Sequence, residues 1–223
     1  MFTGLVQKVG TLVAKRPGPE LETLTIAADL RAGDRELGAS IAVNGVCLTV
    51  TEATAERFSV DAAFETLRLT TLGQLEVGAT LNLEPSLRAG DALGGHLVSG
   101  HVDGVGRVRS LQDRGDARQF WFDVPSELMR FCAPKGSICI DGTSLTINEI
   151  DHGGLSVGLI PHTLQATTLH ALQVGSPVNL EVDLLARYVA RILEHRDAQA
   201  GSSNLSVDDL VQAGYLDPGE GRR

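Results

Sequence analysis

The octapeptide VNGVCLTV, Val43 to Val50, returns almost a hundred residues later as IDGTSLTI, Ile140 to Ile147. The correspondence runs far past the phrase. A shift of 97 positions places Asn44 on Asp141, Cys47 on Ser144, Glu52 on Glu149, and Ser59-Val60 on Ser156-Val157. The same shift places Thr66-Leu67 on Thr163-Leu164, Thr70-Thr71-Leu72 on Thr167-Thr168-Leu169, Val77-Gly78 on Val174-Gly175, and Asn82-Leu83-Glu84 on Asn179-Leu180-Glu181. Nearer the start the shift is 96, with Gly4 on Gly100, Val6 on Val102, and Val9-Gly10 on Val105-Gly106. The chain is a tandem duplication of a module of about ninety residues followed by a tail, and each copy is long enough for a core of its own.

The repeated phrase also dictates local backbone. Asn-Gly and Asp-Gly between β-rich runs favour two-residue hairpin turns, whose central positions need positive φ. Ile41 to Val43 should pair with Val46 to Thr51. Alternation then puts Val46, Leu48 and Val50 on one face and Cys47, Thr49 and Thr51 on the other. In the second copy Leu145 and Ile147 face one way, and Ser144, Thr146 and Asn148 the other. Each half reads as short strands with turn signals between them (GLVQKVGTLVAK, LETLTIAA, ASIAV, RFSVDAA, TLNLEPS). That pattern predicts an all-β small barrel or sandwich. Short helices are expected only around Glu65 to Leu69 and Ser126 to Phe131, with the junction in AGDALGGHLVSGH, Ala89 to His101.

Nineteen Lys and Arg face 28 Asp and Glu, a net charge of −9. This balance argues against a nucleic-acid surface and against attraction to anionic lipid. No apolar run has the length of a membrane span, and MFTGLVQK lacks the basic start of a signal peptide. Three irregularly spaced cysteines make poor material for a disulfide framework. The expected setting is cytoplasmic. In the tail, LLARYVARILEH places Leu185, Val189 and Ile192 at helical spacing with Leu184, Tyr188 and Leu193 beside them, and Asp183 is a candidate N-cap. Such a helix after two finished modules calls for another chain or for packing on its own barrels. Beyond it, residues 197–223 read as a flexible tail, with one short helix expected from Ser206, where Asp209 completes an approximate capping box.

The glycines of GDALGGHLVSGHVDGVG are not a dinucleotide fingerprint, because Gly104-Val105-Gly106 leads into the strand-like RVRS rather than a helix. No Walker-type loop occurs, and His96 and His101 stand near no carboxylate or thiol at metal-ligand spacing. The informative positions are those where the copies diverge: His101 against Leu5, Ser144 against Cys47, and Pro161-His162 against Phe64-Glu65. Drift after duplication accounts for some of this. A scaffold kept twice with a few polar changes otherwise means two related sites, or one site with unlike halves. His101, flanked by Ser99 and Asp103, is a candidate acid or base.

The motifs MFTGLVQ, NGVCLTV, FETLRLTTL, GGHLVSGHVDG, KGSICIDGTSLTI, LIPHTL with TTL, and VNLEVDLLARYV occur in an order and spacing that resembles riboflavin synthase of the alpha-chain type over about residues 1 to 195. The resemblance implies two tandem six-stranded antiparallel β-barrels, residues 1–97 and 98–183, and a trimerisation helix at 184–196. It implies a homotrimer without cofactor or metal. That enzyme moves a four-carbon unit between two molecules of 6,7-dimethyl-8-ribityllumazine, giving riboflavin and 5-amino-6-ribitylaminouracil, at a site between the first barrel of one subunit and the second barrel of its neighbour. Lumazine synthase is a candidate partner.

Carried over by motif, the ligand contacts in the first barrel are Gly4, Leu5, Val6, Cys47, Leu48, Thr49, Asp61, Ala62, Ala63, Phe64, Glu65 and Thr66. Those in the second are Gly100, His101, Val102, Lys135, Ser144, Leu145, Thr146, Gly158, Leu159, Ile160, Pro161, His162 and Thr163, with Asp183 close by. On this reading His101 transfers a proton, Ser144 and Thr146 hold or activate one substrate, and Cys47 is either a nucleophile or a pocket wall. Two copies of one pocket suit a reaction that consumes two copies of one substrate. Three rivals stand beside it. A lumazine or flavin carrier could dispense with the second motif, yet Ser144, Thr146 and Lys135 are present. A structural repeat leaves His101 unexplained, and a flavin oxidoreductase needs a nicotinamide site that the chain lacks.

Overall fold

The structure, a computed structural model, describes residues 1–202. Strands β1 (Lys8–Pro17), β2 (Leu21–Ala27), β3 (Ser40–Val43), β4 (Val46–Ala53), β5 (Arg57–Ala63) and β6 (Thr80–Pro85) close into a barrel ordered β1-β2-β5-β4-β3-β6. Strands β7 (Gly104–Arg114), β8 (Ala117–Asp123), β9 (Ser137–Ile140), β10 (Thr143–Asp151), β11 (Gly154–Leu159) and β12 (Pro177–Val182) close a second barrel with the same connectivity, all neighbours antiparallel. Closure removes every exposed strand edge, which suits modules this small.

Alternation along the strands decides what goes inside. Val46, Leu48 and Val50 point into the first core with Leu24, Ile26, Val60 and Leu83. Ile147, Leu155, Val157 and Leu180 fill the second, around Phe120 and Phe122 stacked 5.8 Å apart. Each fully buried aliphatic or aromatic side chain contributes about 1.5–3 kcal/mol of transfer free energy. The copies also repeat their irregularities. The register shifts at Leu12/Ala14 and Val50/Glu52 recur at Val108/Ser110 and Ile147/Glu149, and such bulges bend strands enough to close small barrels.

The two hairpin turns form as expected. Asn44 and Gly45 have φ of 46° and 80°, and Asp141 and Gly142 have 43° and 78°. The turn tips meet on a pseudo-twofold axis, where a Cβ added to Gly45 would stand 2.8 Å from the Gly142 amide nitrogen. Reciprocal bonds surround the axis. Asn82 Nδ2 donates to the Asp141 carbonyl and Asn179 Nδ2 to the Asn44 carbonyl, both at 2.8 Å. The amides of Thr71 and Thr168 donate to Asn179 Oδ1 and Asn82 Oδ1. Asp141, fully enclosed here, has its carboxyl pushed up to about 7 by burial, against the Asn179 amide that donates to it.

Helix α1 (Phe64–Leu69) matches the expected segment, whereas α2 (Ser126–Met129) is shorter than expected. Helix α3 (Pro161–Ala166) was not anticipated, although the shift of 97 places it on α1. Both α1 and α3 end at a threonine, Thr70 or Thr167, whose hydroxyl donates to the carbonyl of residue i−4 and accepts the amide two residues on. The last helix, α4 (Leu184–Ser202), overruns the expected 184–196, so residues 197–202 are helical rather than part of a flexible tail. Ala198, Gln199 and Ala200 favour helix continuation. Asp183 caps it, Oδ1 accepting the Leu185 amide at 2.9 Å. Residues from Arg187 onward form a separate unit, and Leu185, Tyr188, Val189, Ile192 and Leu193 are each 50–62% exposed. The helix expected from Ser206 lies outside the described residues.

Candidate functional site

In the first barrel the outward face of β4 carries half-buried Cys47 and exposed Thr49, while Leu48 between them points into the core. On neighbouring β5, Asp61 accepts from Thr23 Oγ1 at 2.8 Å, and Ala62 is buried. Ala63 leads into α1, which presents Phe64 at 49% exposure, Glu65 paired with Arg68, and half-buried Thr66. The second barrel repeats the arrangement. Ser144 and Thr146 face outward on β10 around inward Leu145. Gly158 is exposed near the end of β11, Leu159 is buried, and Ile160 is 58% exposed. Pro161 opens α3, followed by exposed His162 and half-buried Thr163. Lys135 adopts φ of 69° and donates its amide to the Ile147 carbonyl, beside β10. Each face thus joins hydroxyls and backbone polar groups to an exposed apolar wall. That set suits a flat heteroaromatic ring bearing a polyol, and it contains no phosphate cradle.

The segments that lead into the barrels cross over. The Gly4 carbonyl accepts from the Ser144 amide at 2.7 Å, and the Gly100 carbonyl accepts from the Cys47 amide at 2.9 Å. Val102 packs on the first barrel's core. The segment of Gly4, Leu5 and Val6 therefore lies beside Ser144 on the second barrel, and that of Gly100, His101 and Val102 beside Cys47 on the first, each on the barrel opposite to its own sequence half. Buried glutamates impose the crossing. Glu84 accepts from Thr3 N, Thr3 Oγ1 and Gly4 N, and Glu181 accepts from Ser99 N, Ser99 Oγ and Gly100 N. Burial pushes both carboxyls upward, while these donors pull them back down. The left-handed glycines, with φ of 73° and 82°, then deliver the chain to the opposite module; a Cβ on Gly4 would stand 2.6 Å from Ser144 Cβ.

The expected catalytic groups are consequently divided. Exposed His101 lies with Cys47, its amide donating to Ser99 Oγ, while Ser144 and Thr146 lie with Gly4 and exposed Leu5. Asp103, the other flank of His101, accepts the Val182 amide. Ser144 has a neighbour that sequence reading passed over: His96 Nδ1 stands 2.7 Å from Ser144 Oγ. The histidine is 8% exposed, and burial pushes its imidazole below the ordinary range while the Asp183 carboxylate pulls it up. Nothing in the spacing of His96 and Ser144 announces this contact. The adjacent Gly94-Gly95 pair was the available hint, because a Cβ on Gly95 would collide with the Thr3 carbonyl. A cavity of about 400 Å³ reaches the leading segment at Leu5 and extends between Lys8, Arg31 and Arg88, and one of about 420 Å³ lies beside Arg118 and His170; neither is lined by Cys47, Thr49, Ser144 or Thr146. The two half-sites are open faces.

Comparison with known proteins gives a consistent picture. The family model described as "Lumazine binding domain" matches residues 3–86 and again 99–183. Riboflavin synthase of Actinobacillus pleuropneumoniae is 40% identical over 215 residues, covering 96% of this chain and all of that protein. Riboflavin synthase of Brucella abortus (strain 2308) is 44% identical over 201 residues, covering 88% of this chain and all of that protein. Among solved structures, LumP complexed with 6,7-dimethyl-8-(1'-D-ribityl)lumazine superposes with a TM-score of 0.72 at 26% identity. LumP complexed with riboflavin superposes with a TM-score of 0.74 at 27% identity. Each match covers 82% of this chain and 99% of LumP.

Proposed function

This chain belongs to the riboflavin synthase family, and from that premise we propose how its two half-sites carry the reaction. The activity transfers a four-carbon unit from one 6,7-dimethyl-8-ribityllumazine to another, giving riboflavin and 5-amino-6-ribitylaminouracil. All the carbon that one ring loses the other gains, so the overall conversion balances without an external oxidant. Residues 1–97 and 98–183 are the two lumazine-binding barrels. Each binds one ring on its β4/α1 or β10/α3 face, with ribityl hydroxyls meeting Thr49 and Thr66 or Thr146 and Thr163. The observation that carries this reading is the duplication of that face together with its crossed leading segment, Gly100 on Cys47 and Gly4 on Ser144.

The chemistry needs a base for the acidic C7 methyl and two rings held face to face. Holding both reactants in register can supply roughly 7–11 kcal/mol of the barrier. Within one chain His101 borders one half-site and Ser144 the other. Opposing the first half-site of one subunit to the second half-site of a neighbour unites them, His101 serving as the proton carrier and Ser144 and Thr146 as hydrogen-bond donors. Cys47 walls the first pocket. The openness of both faces and the exposed stripe of Leu185, Val189 and Ile192 support a homotrimer joined through residues 184–196. The expected setting is the cytoplasm; among the described residues no helix is long and apolar enough to cross a membrane. Lumazine synthase, as a source of substrate, is the candidate partner.

Incubation with the lumazine after exhaustive chelation should generate riboflavin fluorescence, and activity restored only by added metal or nicotinamide would overturn the mechanism. His101→Gln and Ser144→Ala should each lower turnover by about tenfold or more, within the range of positioned acid–base groups. Steady-state rates decide, and a His101→Gln enzyme at wild-type rate removes His101 from the proton-transfer role. Val189→Asp with Ile192→Asp should give monomers by light scattering and lower turnover by about a hundredfold, because the two rings are no longer held together. A trimer that survives both changes would show that the barrels alone hold the assembly.

A further inference from the structure

The equivalent positions Cys47 and Ser144 have unlike neighbours. Cys47 packs against the buried cluster of Phe2, Ala42, Val98 and Cys139. Ser144 instead meets an imidazole, His96 Nδ1 at 2.7 Å. His96 is 8% exposed, its amide donates to the Thr3 carbonyl, and its Nε2 is buried without a hydrogen-bond partner among the described residues. Burial favours the neutral ring. A neutral imidazole has one N–H and one lone pair. Placing the hydrogen on Nε2 would bury an orphan donor; placing it on Nδ1 gives it the one partner present.

We propose that His96 is a positioning residue for the second half-site, its Nδ1–H donating to Ser144 Oγ so that the serine hydroxyl hydrogen is turned outward as a fixed donor to the bound ring. Accepting one hydrogen bond strengthens the one that the hydroxyl donates. The Ser144 hydroxyl is then a preoriented donor to a ring heteroatom that gains negative charge when the C7 methyl loses its proton, the kind of stabilisation that costs no reorientation during reaction. The first half-site, with a thiol packed on Phe2 at the equivalent place, has no such device. The two bound rings are thereby made unequal, as a reaction between a donor and an acceptor of identical structure requires. The inference rests on the lumazine reading of the Ser144 face, and its test separates the two.

Histidine side-chain ¹⁵N NMR of the intact wild-type protein should show His96 as the Nδ1–H tautomer, with its Nδ1 resonance displaced in Ser144→Ala. An Nε2–H tautomer overturns the proposal whether or not the protein turns over lumazine; absence of turnover in wild type overturns the functional reading instead. In the active enzyme His96→Leu should lower kcat by about tenfold or more while KM moves by less than about threefold, because the donor matters most as charge develops. His96→Asn, whose amide reaches the Nδ1 position, should restore kcat to within about threefold of wild type, whereas His96→Gln, whose amide lies further out, should not. In a Ser144→Ala background His96→Leu should add nothing further. Wild-type kcat in His96→Leu, Asn no better than Gln, or effects that multiply in the double variant would overturn the assignment. If His96→Leu fails to fold, the comparison of Asn with Gln decides alone.

Discussion

Residues 1–97 expressed alone should form a twofold-symmetric dimer rather than a monomer. In the intact chain the axis between the modules is lined by pairs of equivalent residues, Asn44 with Asp141, Gly45 with Gly142, and Asn82 with Asn179. Two copies of the first module can therefore rebuild every one of these contacts. The Gly4 carbonyl of one copy would take the place that Gly100 occupies on Cys47, and Val6 that of Val102. A monomer would leave the Cys47 backbone amide and the Asn82 side-chain Nδ2 without their present partners, Gly100 and Asp141, at about 1–3 kcal/mol for each buried orphan. Light scattering should report twice the fragment mass, and fluorescence titration should show lumazine or riboflavin binding. Turnover should be at least about a hundredfold below that of the full chain, since His101, Ser144 and Thr146 are missing. Gly45→Val should break the dimer, because it places a β-branched residue at φ of 80° with its Cβ 2.8 Å from the opposing backbone. A fragment that is monomeric at tens of micromolar, or a Gly45→Val fragment that still dimerises, would refute this account of the axis.

Asp141→Asn should stabilise the protein in a pH-dependent way. The Asp141 carboxyl is pushed up to about 7 in the folded protein from an ordinary value of 3.8. Its burial is therefore without penalty below the unfolded value, becomes progressively unfavourable as pH rises between the two values, and is fully unfavourable above the folded one. Three units of separation correspond to roughly 4 kcal/mol when fully developed. Asparagine has no such titration, and the first module already carries Asn44 at the equivalent position with its Oδ1 accepting the Asn82 amide at 2.7 Å. Thermal unfolding should show the variant close to wild type near pH 4 and more stable by roughly 8–16 °C at pH 8, the upper bound set by full ionisation of the buried carboxyl. A gain independent of pH would locate the benefit in turn propensity, and no gain at pH 8 would show that the carboxylate is better accommodated than its enclosure indicates.

Much of the molecule follows from local rules. Asn44-Gly45 and Asp141-Gly142 demanded hairpins, alternation put Val46, Leu48 and Val50 on one face and Cys47 and Thr49 on the other, and the duplication required two cores. These features need no knowledge of distant neighbours, because positive φ and strand pleat are properties of a few consecutive residues. The same holds for Asp183 as the cap of α4. Helix α3 was legible too, through its alignment with α1 rather than through any strong helical period of its own.

What tertiary structure alone decided is which groups share a site. The crossing of Gly4 onto Ser144 and of Gly100 onto Cys47 depends on Glu84 and Glu181, about eighty residues away from the amides they bind, and on a pseudo-twofold axis that brings two turn tips together. No sequence period encodes that exchange, since both modules carry the same leading segment and either could in principle keep its own. His96 was hidden for the same reason: its partner Ser144 lies on the other side of the junction, and only the close packing of Gly95 on Thr3 makes the approach possible. Local rules in the chain set the turns, two small all-β modules and their alternating polar faces, because those arise from short-range sterics and from the alternation of apolar residues, while closure into six-stranded barrels rather than sandwiches was implied only by the family resemblance. The three-dimensional fold decided how the faces are shared between modules, because that depends on long-range hydrogen bonds and on backbone contacts that only glycine permits.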